Sequence, residues 1–110
     1  MSQETRRFMR LLVFFDLPTI TREDKRAYTL FRRFLLKDGY DMIQWSVYGR
    51  VINGFDNMET HLKRLSANLP PEGSVRCLQV SEKQFVQMKL LVGEPKKQEK
   101  TVSSAQLVLL

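Results

Sequence analysis

Phe8-Met-Arg-Leu-Leu-Val-Phe-Phe-Asp16 is a nearly continuous apolar run rich in β-forming residues, followed by Leu17-Pro18. A strand with one wet face alternates apolar and polar residues; a run like this reads as a central strand buried on both faces. Pro18 has no N–H to offer a ladder, so the strand stops at Asp16. The next stretch, 19–39, changes its apolar period from two to 3.6. Thr21, with Asp24 three residues on, makes a capping box. Glu23 and Asp24 suit the positive start of a helix and Lys37 its negative end, and Gly39 supplies the stop. Ala27, Leu30, Phe31, Phe34 and Leu35 form the apolar stripe.

Outward from this strand and helix, residues 41–51 read as a second strand. Ile43, Trp45 and Val47 lie on one face and Gln44, Ser46, Tyr48 and Arg50 on the other. It continues to Ile52, before the turn signal Asn53-Gly54. That turn either leads directly to the next element or closes a hairpin within a longer strand. Met58, Leu62, Leu65 and Leu69 recur at helical spacing, predicting a second helix over 56–69, ended by Pro70-Pro71 and Gly73. Residues 74–80 read as another strand. Ser81-Glu82-Lys83-Gln84 is a second capping box, opening a short helix with Phe85 and Met88 on one face. Residues 89–92 are expected to form a short closing strand. A polar linker, 93–104, precedes the apolar Gln106-Leu107-Val108-Leu109-Leu110. The expected division is a domain over 1–92, and a linker with a docking tail over 93–110.

With the middle strand split in two, the order is βαββαβ. This is an α+β fold, a ferredoxin-like sandwich whose antiparallel sheet carries both helices on one face, plus a C-terminal tail strand. Since the first strand is apolar on both faces, a second copy of the chain is expected to cover the other face of the sheet.

The length of 110 residues suits one such domain, and 43% hydrophobic residues suffice for a core. No apolar run approaches the ~20 residues of a membrane span. Glu4, Arg6, Arg7 and Arg10 crowd the start of the chain, which is unlike a secretory signal, so the chain reads as cytoplasmic with no membrane partner. A single Cys77 excludes an internal disulfide and lacks the companions of a zinc site. It reads as a small core residue. One His and one Cys leave no nucleophilic triad, and no phosphate-binding glycine loop is present. His61 reads as a surface or boundary residue.

Charge points toward nucleic acid. The chain carries +6, and residues 1–40 hold nine basic residues against five acidic. Arg22, Lys25, Arg26, Arg32, Arg33 and Lys37 span roughly 22 Å of the first helix at about 1.5 Å per residue. Such a stripe is either the solvated side of the helix or, doubled in a dimer, a track for a duplex backbone. Asp16, an ionisable residue closing an apolar strand, is either a cap for the following turn or a Mg²⁺ ligand. One carboxylate makes a poor Mg²⁺ site. Two copies across a two-fold axis, completed by water and phosphate, make a better one.

Three ordered segments carry a resemblance. They are Met9-Arg-Leu-Leu-Val-Phe-Phe-Asp-Leu-Pro18, Lys25-Arg-Ala-Tyr-Thr-Leu-Phe-Arg-Arg-Phe-Leu-Leu-Lys-Asp-Gly-Tyr40 and Met42-Ile-Gln-Trp-Ser-Val-Tyr48. Together they closely resemble the small CRISPR-associated adaptation protein, second in the Cas series. Val80-Ser-Glu-Lys-Gln-Phe85, Met88 and Gly93-Glu94 resemble its version in type II-A systems. The resemblance implies a ferredoxin-like homodimer and a Mg²⁺-dependent endonuclease acting on single-stranded RNA or double-stranded DNA. Asp16 matches the metal-linked catalytic residue of that family. The resemblance also implies a scaffold in spacer acquisition, holding a protospacer duplex between two dimers of the CRISPR integrase. The family's basic contacts transfer as the region 22–37. Its C-terminal reach to the integrase or the other protomer corresponds here to Gln106–Leu110. The alternative is a ferredoxin-like RNA-binding or regulatory module without catalysis. An exposed aromatic such as Tyr48 on the sheet would favour it; Phe14 and Phe15 read instead as core and dimer surface.

Overall fold

A computed structural model of the chain describes residues 8–53 and 58–94. The elements, in order, are β1 (Met9–Asp16), α1 (Arg22–Lys37), β2 (Asp41–Gln44), β3 (Val47–Ile52), α2 (Met58–Ser66), β4 (Ser74–Ser81) and α3 (Glu82–Val86). The four strands form one antiparallel sheet in the order β2-β3-β1-β4, which is the ferredoxin-like arrangement expected from the sequence.

β1 is central, as its composition demands. Its odd residues Leu11, Val13 and Phe15 join Phe31 and Leu35 of α1, Leu65 of α2 and Tyr48 of β3 in one core. Both helices therefore cover that face. The even residues, Arg10, Leu12, Phe14 and Asp16, point the other way. Register places Val51, Gly49 and Val47 of β3 and Val80, Leu78 and Arg76 of β4 on this second, open face. A Cβ on Gly49 would stand 2.9 Å from Leu12 Cδ2 and 3.0 Å from Ile43 Cδ1, so those two side chains close over it.

Both capping boxes form. Thr21 Oγ1 accepts from the Asp24 N–H, and the Asp24 carboxylate accepts from the Thr21 N–H. Ser81 and Gln84 repeat the exchange at α3. A cap of this kind contributes about 1 kcal/mol. Phe85 of α3 lies on the open face, where the Arg10 guanidinium sits 4.1 Å from its ring centroid. Arg10 is itself buried and pairs with Glu82 at 2.7 Å.

Several expectations are corrected. The stretch 41–52 is not one strand: the chain reverses at Trp45-Ser46, with Ser46 at φ +65°. Ile43 and Val47 still share the open face, but on neighbouring antiparallel strands. Leu30 and Leu69, each 49% exposed, line an open groove beside Pro70 and Pro71 rather than joining the core. Residues 89–92 form no strand; Leu91 and Val92 are almost fully exposed and pair with no described strand. Met88 lies past the end of α3 and is exposed. Gly54, the start of the helix expected from residue 56, and the tail Gln106–Leu110 fall outside the described residues. No described helix is long and apolar enough to cross a membrane.

Candidate functional site

Asp16 occupies the last position of β1, opposite Ser74 of β4. A Cβ on Gly73 would meet the Asp16 carbonyl oxygen at 2.6 Å. The bare glycine, at φ +95°, lets the β4 approach press against the strand end and fixes the backbone that carries the carboxylate. Asp16 is exposed, and its carboxylate makes no hydrogen bond or ion pair with another described residue. The turn after β1 is capped from elsewhere: Asp24 accepts from the N–H groups of Ile20 and Thr21. Those hydrogen bonds, that from the Thr21 backbone first, hold the Asp24 carboxyl below its ordinary value.

A carboxylate oxygen is the hard donor that Mg²⁺ takes, and Mg²⁺ commonly keeps several waters beside one or two carboxylates. Asp16 fits that chemistry as a single ligand. No group of three His, Cys, Asp or Glu able to hold a metal occurs among the described residues, so these residues supply no dedicated cage.

The six cations of α1 are all exposed, and none forms an ion pair with a described residue. Arg22, Lys25, Arg26 and Arg33 converge with Thr29 and Leu30 on one shallow concavity of about 370 Å³. Arg32 lies outside that group, near enough to the Tyr48 hydroxyl for its charge to act on it. Burial pushes that hydroxyl above its usual pKa, and the guanidinium opposes the shift. Lys37 lies in the last turn, where the helix dipole favours a cation.

Three other residues differ from expectation. Tyr48 is buried in the core and presents no ring to solvent, which removes the support it offered an RNA-binding sheet. Cys77 is exposed because β4 is an edge strand that the helices do not reach over. His61 is buried, with its Nδ1 2.8 Å from Arg64 Nη2; Arg64 Nε in turn donates to Asp38 at 2.8 Å. A guanidinium only donates, so in this contact His61 Nδ1 is the acceptor. Nearby, burial pushes the Tyr40 hydroxyl up to about 12, with the Asp38 carboxylate adding to the shift and Arg50 opposing it. This cluster joins α1, β3 and α2 behind the sheet, away from Asp16.

The fold and the site together define a class: small βαββαβ proteins with a carboxylate ending the first strand and a cationic first helix. Residues 9–88 match the family described as CRISPR associated protein Cas2. Among curated relatives, the CRISPR-associated endoribonuclease Cas2 of Acidovorax ebreus (strain TPSY) is 66% identical over 101 residues, covering 92% of this chain and 99% of the relative. The protein of the same name from Treponema denticola is 44% identical over 88 residues, covering 80% and 87%. That from Parvibaculum lavamentivorans is 44% identical over 101 residues, covering 92% and 99%. The chain belongs to the CRISPR-associated Cas2 family.

Proposed function

We propose that this chain is a CRISPR adaptation protein. It works as a homodimeric scaffold that holds a protospacer duplex along α1 and meets the CRISPR integrase through Gln106–Leu110. It also has Mg²⁺-dependent endoribonuclease activity through Asp16. The observation that carries the reading is the α1 surface: six exposed cations without ion-pair partners among the described residues, four of them lining one concavity. Cations not neutralised within the chain are available to phosphates, and Arg presents a planar fork to them.

Dimerisation is supported by the open face. Leu78 is 53% exposed there, and Phe14 and Val47 are half-buried. Asp16 shares that face, so two copies packed across it would bring two carboxylates toward one axis. Like charges so placed repel unless a cation lies between them. Mg²⁺ bound there supplies charge neutralisation and an activated water for phosphodiester hydrolysis. Asp16 holds the cation, while the α1 cations position the phosphate backbone.

The test is charge reversal. Arg26→Glu with Arg33→Glu lowers duplex affinity at low salt and flattens the log–log salt slope by roughly 3.6, the value for four lost phosphate contacts, two from each protomer of the dimer. An unchanged slope would place the duplex elsewhere. Sedimentation as a compact monomer at micromolar concentration would refute the dimer.

A further inference from the structure

Trp45 is the most exposed aromatic side chain described, at 71%, although it belongs to the short hairpin turn between β2 and β3. One face of its indole is covered: Tyr28 of α1 stacks on it with centroids 5.6 Å apart and planes 22° from parallel. Tyr28 packs edge-on against Phe15 at 5.9 Å. Phe15 in turn contacts Phe31 and Tyr48 in the core, at 5.2 and 5.6 Å. The exposed ring is thus the last member of an aromatic series rooted in the core. The turn is also held in place, since the Phe15 N–H donates to the Ser46 carbonyl at 3.1 Å. Ser46 keeps a left-handed φ of +65°, a conformation that a non-glycine residue adopts only where its surroundings impose it.

Lys25 and Arg32 stand three residues before and four after Tyr28, on the same side of α1, and both are exposed. They place positive charge on either side of the ring pair. The ring pair lies at the end of β1 that carries Asp16. A fixed aromatic face with cations beside it is how single-stranded nucleic acid is gripped without sequence preference. Bases inside a duplex are already stacked and offer no face.

We propose that the free face of Trp45, backed by Tyr28, is a stacking platform for an unpaired base of single-stranded nucleic acid, with Lys25 and Arg32 meeting the flanking phosphates. This rests on the nucleic-acid reading above and adds to it a seat for the single-stranded substrate class.

Trp45 is the only tryptophan, so tryptophan emission, excited selectively over tyrosine, reports on this site alone. The full chain is titrated in EDTA, to prevent cleavage, with a 12-nucleotide single-stranded RNA, its DNA counterpart, an abasic strand of equal charge and a blunt duplex. Both base-bearing single strands quench the emission to saturation; the abasic strand and the duplex do not. Trp45→Ala weakens single-strand binding about 5- to 150-fold while leaving duplex affinity unchanged, and Trp45→Phe restores most of the loss. Equal quenching by the duplex, or single-strand binding unaffected by Trp45→Ala, overturns the platform while the duplex scaffold stands. Failure of the parent chain to bind any of the four strands overturns both.

Discussion

The two faces of the sheet are built from alternate residues of the same strands and have opposite fates. On one, Leu11, Val13 and Phe15 are sealed beneath α1 and α2. On the other, Leu12 and Arg10 are buried by neighbouring side chains and α3, but Phe14, Val47 and Leu78 stay partly or largely exposed and Asp16 ends the row in solvent. A strand apolar on both faces needs two covers. The described chain supplies one, and the second face retains both the apolar surface and the carboxylate. In the proposed reading, the covered face serves stability and the open face serves assembly and chemistry.

Mutations separate the two. Leu35→Ala, beneath the covered face and fully buried, should cost about 2–5 kcal/mol of stability in denaturant unfolding. Duplex affinity per folded molecule should not change. Leu78→Glu on the open face should leave the unfolding midpoint of the monomer within about 0.5 kcal/mol. Its dimer dissociation constant, by sedimentation, should rise at least about tenfold. An equal loss of monomer stability in both variants would erase the distinction between the faces.

Smaller effects sharpen it. Thr21→Ala removes the acceptor for the Asp24 N–H and should cost about 1 kcal/mol. The Asp24 carboxyl has a lowered pKa in the folded chain. Its contribution is therefore present above its ordinary value and fades as pH falls through the folded one; Asp24→Asn should flatten that acid limb of stability. Tyr40 shows the opposite sign. Its folded pKa is raised to about 12 from 10.0, so stability is fully present below pH 10 and declines as pH rises toward 12. Tyr40→Phe should remove that alkaline decline, read as unfolding midpoints at pH 9 and pH 11.

Signals confined to a few neighbouring residues were legible in the sequence. Both capping boxes, the extent of β1, the α1 stripe around Phe31 and Leu35, and the exposure of all six α1 cations follow from local spacing and chemistry. The reversal at Trp45-Ser46 was hidden because it uses neither Gly, Asn nor Pro, while Asn53-Gly54 offered a stronger turn signal nearby. The split of the strand is imposed by non-local pairing, with Phe14 opposite Val47 and Met42 opposite Tyr48. The burial of His61 depends on Arg64, which is held in turn by Asp38 from another element, a relation no periodicity encodes. Cys77 has the composition of a core residue but lies on an edge strand. Asp16 stood out as an ionisable end to an apolar run; that it is exposed and its carboxylate unpaired among the described residues required the structure.

The most direct test of the open face as the seat of chemistry is cleavage of labelled single-stranded RNA by the parent chain and by Asp16→Asn, each with and without Mg²⁺. The two proteins are first matched for unfolding midpoint and sedimentation. Asp16 is exposed and its carboxylate has no described partner to lose, so the substitution should leave the unfolding midpoint unchanged and the protein a dimer. The parent should cleave only with Mg²⁺, and Asp16→Asn should not cleave. Equal Mg²⁺-dependent cleavage by both proteins would contradict this and leave Asp16 as no more than the residue at which β1 ends.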